Sequence, residues 1–138
     1  MMKRLPIGIA AALLLMLGVI SPLAAQSLPQ PQTQNGITFI SGGVGDDSQQ
    51  AMLAVKQDYN LRMLFAREGT GEYFASLPVR ISDTAGNPVL SATSAGPFFY
   101  ARLQPGRYTV EVIHLGQWLT KTADVPAAGA AELYFYWP

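Results

Sequence analysis

The chain contains no cysteine among its 138 residues. Disulfide bonds are therefore excluded, and the fold must be held by its hydrophobic core alone. Lipid attachment at a processed cysteine behind the N-terminal apolar run is excluded for the same reason. The length that follows this run is enough for one domain with one core, but not for two.

Histidine occurs only once, at His114. A catalytic triad or a metal site with two histidines cannot be built within one chain from a single histidine. The apolar alternation of Tyr108, Val110 and Val112 continues to position 114, so we expect His114 on the inward side of a strand end. A structural role is favoured, because a histidine base needs an orienting partner. We expect no metal and no cofactor.

Carboxylates are few and scattered. The aspartates near the first glycine-rich segment lack the alternating spacing and distant glutamate of a calcium loop. We expect Asp46 and Asp47 to cap a helix instead. The alternative is a small hydrolase of unknown substrate whose acid–base groups near His114 come from Asp46, Asp47, Asp58 or Glu72. No paired-carboxylate or nucleophile–base spacing supports it, so we expect no enzyme.

Charge of one sign does not accumulate, since nine Lys and Arg balance nine Asp and Glu. A nucleic-acid partner would need a clustered basic face. We therefore expect no nucleic acid among the partners.

Long apolar runs are confined to the N-terminus. That segment has the parts of a secretory signal, namely a basic start, an apolar stretch and small residues before a cleavage site: Lys3, Arg4, Leu5 to Ile20, Ala24 and Ala25. We predict a signal peptide over residues 1–25 and a periplasmic or secreted protein. The apolar run is shorter than the about 20 residues that a membrane span needs, so a cleaved signal is favoured over the alternative of an uncleaved anchor. No span is expected after cleavage.

Residues 26–36 are rich in glutamine and proline and nearly free of apolar side chains. Such a segment buries too little surface to offset its ordering entropy, so we expect a flexible leader. After the glycine-rich Ser41 to Gly45, apolar residues at helical spacing predict one short helix over about residues 47–58. A phosphate loop is disfavoured, because Asp46 and Asp47 follow the glycines where lysine and a hydroxyl residue are required.

From Asn60 onward the apolar period falls to two, which is typical of half-buried strands. About seven short strands separated by Gly, Pro and Asn turns predict a single all-β sandwich domain over residues 37–138. Pro105 and Gly106 predict a tight turn that reverses the chain between two of these strands.

The same region resembles a known family. Asp83-Thr84-Ala85-Gly86, followed by Leu103-Gln104-Pro105-Gly106-Arg107-Tyr108-Thr109-Val110, is similar to the pattern of the carboxypeptidase regulatory-like domain. The resemblance covers about residues 60–125 and implies a prealbumin-like (transthyretin-like) Greek-key sandwich. It also implies that Leu103 and Tyr108 are core residues.

A closer likeness is to small exported proteins of Gram-negative bacteria with no assigned activity. It is carried by Ile40-Ser41-Gly42-Gly43-Val44-Gly45 and Tyr59-Asn60-Leu61, and it implies a periplasmic protein. Prealbumin-like enzymes that hydrolyse 5-hydroxyisourate are less similar, since they need further histidines and end in Tyr-Arg-Gly-Ser. Metallocarboxypeptidases keep their zinc in a separate catalytic domain, for which this chain has no room.

Aromatic residues supply the candidate binding site. Alternation along two strands turns four of them away from the core: Phe98, Tyr100, Tyr134 and Tyr136. Outward aromatic residues imply a cover, which is either the short helix or a docked partner. We therefore expect a non-catalytic binding module for an unknown protein or cell-envelope component. The alternative is an envelope or surface-assembly subunit that pairs through its last strand.

Overall fold

The structure, a computed structural model, describes residues 28–138. Within this range the chain forms nine strands, one α-helix and one turn of 3-10 helix. Their bounds are β1 (Gln32–Gln34), β2 (Ile37–Gly42), α1 (Asp46–Val55), the 3-10 turn (Lys56–Asp58), β3 (Leu61–Arg67), β4 (Leu77–Ser82), β5 (Pro88–Ser94), β6 (Phe98–Arg102), β7 (Gly106–His114), β8 (Gln117–Val125) and β9 (Ala131–Trp137). The expected signal peptide, residues 1–25, lies outside the described residues.

The strands form two sheets. The larger has the order β1-β2-β6-β3-β9 and the smaller the order β5-β4-β7-β8. Neighbouring strands are antiparallel throughout, except that β3 and β9 run parallel. The all-β class with one short helix is confirmed, with nine strands where about seven were expected.

One core lies between the two sheets. Strand β4 shows how the sequence builds it, since Leu77, Val79 and Ile81 are buried and the residues between them face outward. Phe65, Phe99, Phe135 and Trp137 of the larger sheet meet these residues from the other side. Leu103 belongs to the core, as expected. Tyr108 is only partly buried and packs against the core, and its hydroxyl donates to the Gln104 carbonyl at 2.8 Å.

The structure corrects the expectation of a flexible leader over residues 26–36, because Gln32–Gln34 form β1 and pair with β2. The Gln34 side chain also holds the free edge of β5. Its amide nitrogen donates to the Ser91 carbonyl at 3.0 Å, and its amide oxygen accepts from the Ser91 N–H at 2.8 Å. A glutamine amide has the same donor and acceptor as a peptide group, so a segment poor in apolar residues is ordered by polar bonds.

The structure also corrects the Pro105–Gly106 turn. Strand β6 belongs to the larger sheet and β7 to the smaller one, so this segment is a corner between sheets and not a hairpin. Asn60 holds the corner: its side-chain nitrogen donates to the Leu103 carbonyl at 2.7 Å, and its oxygen accepts from the Leu103 N–H at 2.8 Å.

Helix α1 lies over the glycine-rich segment that precedes it. The expectation that Asp46 and Asp47 cap the helix is wrong, because Gly45 is the N-cap residue and no side chain caps the helix. They lie in the first turn, where negative charge favours the helix dipole. Position 96, next to this segment, requires glycine, because a Cβ there would lie only 2.4 Å from the carbonyl group of Gly42.

Neither helix in residues 28–138 is long and apolar enough to cross a lipid bilayer.

We expect Asn60→Ala to lower the free energy of unfolding by about 2–3 kcal/mol, since it leaves a part-buried N–H and C=O of Leu103 without their partner. Denaturant unfolding measures the loss. Asn35→Gly is the matched control, because Asn35 makes one exposed bond to Val89 and glycine suits its positive φ of 52°. Equal losses in the two variants would contradict a special role for Asn60.

Candidate recognition face

The outer face of the larger sheet carries all four aromatic residues that the sequence turned outward. Strands β6, β3 and β9 lie side by side in that order, and their outward residues form one surface. Strands β6 and β9 flank β3, and the outward residues of the three strands are Phe98 and Tyr100 on β6, Arg62 and Leu64 on β3, and Glu132, Tyr134 and Tyr136 on β9. Register therefore places the predicted residues on one face, but their environments differ.

Helix α1 covers the β6 side of this face. Tyr100 packs with Ile40, Met52 and Tyr59 in a second, smaller apolar cluster, and only 3% of it is exposed. Its ring lies 6.0 Å from the Tyr59 ring. Burial raises the pKa of the Tyr100 hydroxyl, although the nearby Arg62 opposes the shift. Of the two covers that the sequence left open, the helix is thus the one over Tyr100. Tyr100 is therefore not part of an exposed contact surface, because the helix needs an apolar surface for Met52.

Phe98 lies at the boundary between the covered and the open side. It is partly buried and packs against the cluster under the helix. Its ring also meets Tyr73 edge-on at 5.8 Å, and Tyr73 is exposed. Phe98 therefore supports an exposed aromatic residue and is not itself the main exposed surface.

Tyr134 and Tyr136 on β9 are exposed, as expected, each to 46%. Their rings stack with centroids 6.5 Å apart and planes inclined by 12°. Residues two apart on a strand point to the same side, so the spacing of the sequence produces this stack directly. We call Tyr134, Tyr136 and the adjoining Glu132 the tyrosine face.

An ion pair and a hydrogen bond hold one end of the tyrosine face in place. Arg62 donates to one carboxylate oxygen of Glu132 at 3.1 Å, and the Tyr134 hydroxyl donates to the other at 2.9 Å. Arg62 is fixed in turn by a bond from its Nε to the Tyr59 carbonyl at 3.2 Å. The Tyr134 ring therefore has a defined orientation although it lies at the surface.

These bonds shift two pKa values in opposite directions. The Tyr134 and Arg62 hydrogen bonds lower the pKa of Glu132, with Tyr134 the larger cause. The hydrogen bond between Tyr134 and Glu132 also raises the pKa of Tyr134, because the carboxylate holds the hydroxyl proton. At neutral pH the pair is therefore a carboxylate and a neutral phenol.

A shallow depression of about 90 Å³ lies between the helix and the tyrosine face. Its lining combines aromatic rings with charged side chains: Lys56, Arg62, Leu64, Phe98, Tyr100, Glu132 and Tyr134 are among its residues. The volume is well below the several hundred Å³ typical of enclosed ligand pockets. This surface is suited to contact with a larger partner and not to enclosure of a small molecule.

The described residues provide no catalytic constellation around His114. Its ring stacks on Phe74 at 3.9 Å and meets Trp137 edge-on at 5.7 Å, and within residues 28–138 no carboxylate bonds to it. Glu72 pairs with Arg67 instead, at 3.2 Å. No group of three or more potential metal ligands is present in this range.

Sequence reasoning missed Tyr73, Arg62 and Glu132. Arg62 and Glu132 lie 70 residues apart in the chain, and only the parallel pairing of β3 with β9 brings them together. It also missed Trp118 on the outer face of the smaller sheet, which is 45% exposed. The Arg80 guanidinium lies over that ring at 4.7 Å and pairs with Glu111.

Comparison of the chain with protein-family models, curated proteins and solved structures finds no match.

We expect Glu132 to titrate below the usual range of a glutamate, and Tyr134→Phe to raise its pKa because the larger cause of the shift is removed. A depressed carboxylate pKa stabilises the fold above the unfolded-state pKa, and this contribution is lost as pH falls through the folded-state pKa. Carboxyl-resolved NMR titration measures both values. Tyr136→Phe is the control and leaves the midpoint in place. An unchanged midpoint in Tyr134→Phe would refute the bond.

Proposed function

We propose that this protein is an exported, non-catalytic recognition module of the bacterial periplasm, which binds a protein or another cell-envelope component through the tyrosine face. Export is supported by the signal-like composition of residues 1–25. The resemblance to carboxypeptidase regulatory-like domains, a group of prealbumin-like sandwiches, supports an accessory binding role and not a reaction.

The observation that carries this proposal is the stacked, exposed pair of Tyr134 and Tyr136. Tyrosine presents a large rigid area with a polar tip, and few torsions are lost when it is buried. The Arg62–Glu132–Tyr134 bonds hold one ring in place before binding, which reduces the entropy cost of association. Tyr73, whose ring packs on Phe98, adds a further exposed aromatic residue on the β6 side of β3.

The smaller sheet offers a weaker surface by the same criteria. Its exposed aromatic residue, Trp118, already has a cation over its ring, since Arg80 lies there at 4.7 Å and is held by Glu111 at 3.1 Å. A partner would have to displace Arg80 to use that face of the ring. This makes Trp118 a useful comparison, because it is as exposed as the tyrosines but differently occupied.

We expect the double variant Tyr134→Ser with Tyr136→Ser to lose retention of its partner from envelope extract by about tenfold or more, the usual cost of removing a central aromatic contact. The tagged full chain is immobilised and its bound species are quantified by mass spectrometry. Trp118→Ser, matched in exposure, should retain the same species. Equal retention by the double variant and the unaltered protein would overturn the proposal.

A second candidate function, an assembly subunit of the envelope, is favoured by one observation. Strand β9 lies at the end of its sheet, with β3 on one side and no described strand on the other. Among residues 28–138, no carboxylate pairs with His114, so the hydrolase alternative has no support from this part of the chain.

A further inference from the structure

The two sheets end in four edge strands within residues 28–138, and three of them are protected against pairing. Strand β1 is only three residues long. The edge of β5 is held by the side chains of Gln34 and Asn35. Strand β8 carries Lys121 opposite the buried Val110, on the core side of the strand. Short edges and inward-pointing lysines are devices that prevent edge pairing.

Strand β9 carries none of these devices on its own residues. It is seven residues long, and its one charged residue, Glu132, is neutralised by Arg62. Strand β8 contacts β9 through side chains, since the Trp137 Nε1–H donates to the Gln117 carbonyl at 3.0 Å and Lys121 Nζ lies 5.9 Å from the Phe135 ring, but the backbones of β8 and β9 do not pair.

The hydrogen bonds to β3 show which groups of β9 are free. At one end the Ala131 N–H donates to the Asn60 carbonyl at 2.8 Å, and at the other the Glu68 N–H donates to the Trp137 carbonyl at 2.7 Å. In a parallel pair, alternate residues of a strand bond to the same neighbour. Ala131, Leu133, Phe135 and Trp137 thus face β3, and Glu132, Tyr134 and Tyr136 direct their N–H and C=O groups to the open edge.

We propose that β9 pairs in antiparallel register with β9 of a second copy of this chain, about a twofold axis at Tyr134. In this register Tyr134 lies opposite its own equivalent, and Glu132 of each copy lies opposite Tyr136 of the other. All three residues with free backbone groups then form hydrogen-bonded pairs, each with two bonds.

Other symmetric registers are poorer. An axis at Glu132 places two carboxylates directly opposite, which is destabilising, and leaves Tyr134 and Tyr136 without partners on β9. An axis at Leu133 or Phe135 pairs only two of the three residues in each copy. The Tyr134 register is therefore the one that uses every free backbone group and sets an aromatic hydroxyl against each glutamate.

The pairing joins the two tyrosine faces into one continuous surface across the axis. Tyr136 of the second copy then borders the Glu132 end of the face, so each copy contributes to the other's recognition surface. The dimer does not depend on the proposed recognition function. The protein can be dimeric and capture no envelope component, or it can be monomeric and still capture one.

Proline at position 134 tests the backbone pairing directly. The Tyr134 N–H is not used in bonding to β3, and proline is tolerated on an edge strand whose N–H faces outward. In size-exclusion chromatography with light scattering we expect the unaltered protein and Tyr134→Ser to elute with the mass of two chains, and Tyr134→Pro with the mass of one. A monomeric unaltered protein, or a dimeric and folded Tyr134→Pro variant, would overturn the proposal.

Cysteine cross-linking tests the register and does not depend on how well the proline variant folds. The chain has no cysteine of its own, so single substitutions report one position each. With the shortest thiol-reactive cross-linker, Tyr134→Cys should give a covalent dimer, because directly opposite residues have Cα atoms about 5.5 Å apart. Glu132→Cys and Tyr136→Cys each lie about 14 Å from their own equivalents, four residues at ~3.4 Å, and should not. Equal yields at the three positions, or none at any, would refute this pairing.

Discussion

The hydrogen bonds of Asn60, made by both its side chain and its backbone, are the constraint on which the arrangement of the larger sheet depends. The side-chain amide bonds to both backbone groups of Leu103, where the chain leaves β6 for the smaller sheet. The backbone carbonyl of Asn60 accepts a hydrogen bond from the N–H of Ala131, the first residue of β9. One residue therefore fixes the end of β6, the beginning of β3 and the register of β9. Because side chains alternate along a strand, that register decides that Tyr134 and Tyr136 face outward while Phe135 and Trp137 fill the core.

The features that the sequence predicts well are those with a local cause. Alternation along β9 is enough to place Tyr134 and Tyr136 outside, and the spacing of Met52 within its segment is enough to predict a helix with one buried side. The burial of Tyr100 does not have a local cause, since it depends on where that helix packs. Arg62 and Glu132 were out of reach for the same reason, because a parallel pairing of distant segments brings them together.

Two errors of sequence interpretation share one physical origin. The prediction of a flexible leader over residues 26–36 was based on their lack of apolar side chains. Gln34 is nevertheless ordered by two hydrogen bonds to the Ser91 backbone. The Pro105–Gly106 segment has the residues of a hairpin turn, yet its position is set by the amide of Asn60. In both cases a side-chain amide replaces a neighbouring strand, and composition does not reveal where such a bond will form.

The parallel pairing of β3 with β9 has a consequence for the order in which the protein assembles. Every other strand of the larger sheet is synthesised before β8, whereas β9 follows it, so β3 has β6 as its only neighbour until the last of these strands emerges. Contacts between segments so distant in sequence form late, since the entropy of closing the intervening chain opposes them. The surface that carries the stacked tyrosines thus includes the last strand of the larger sheet to be synthesised, and β3, the fourth of its five strands, has an open edge until β9 pairs with it.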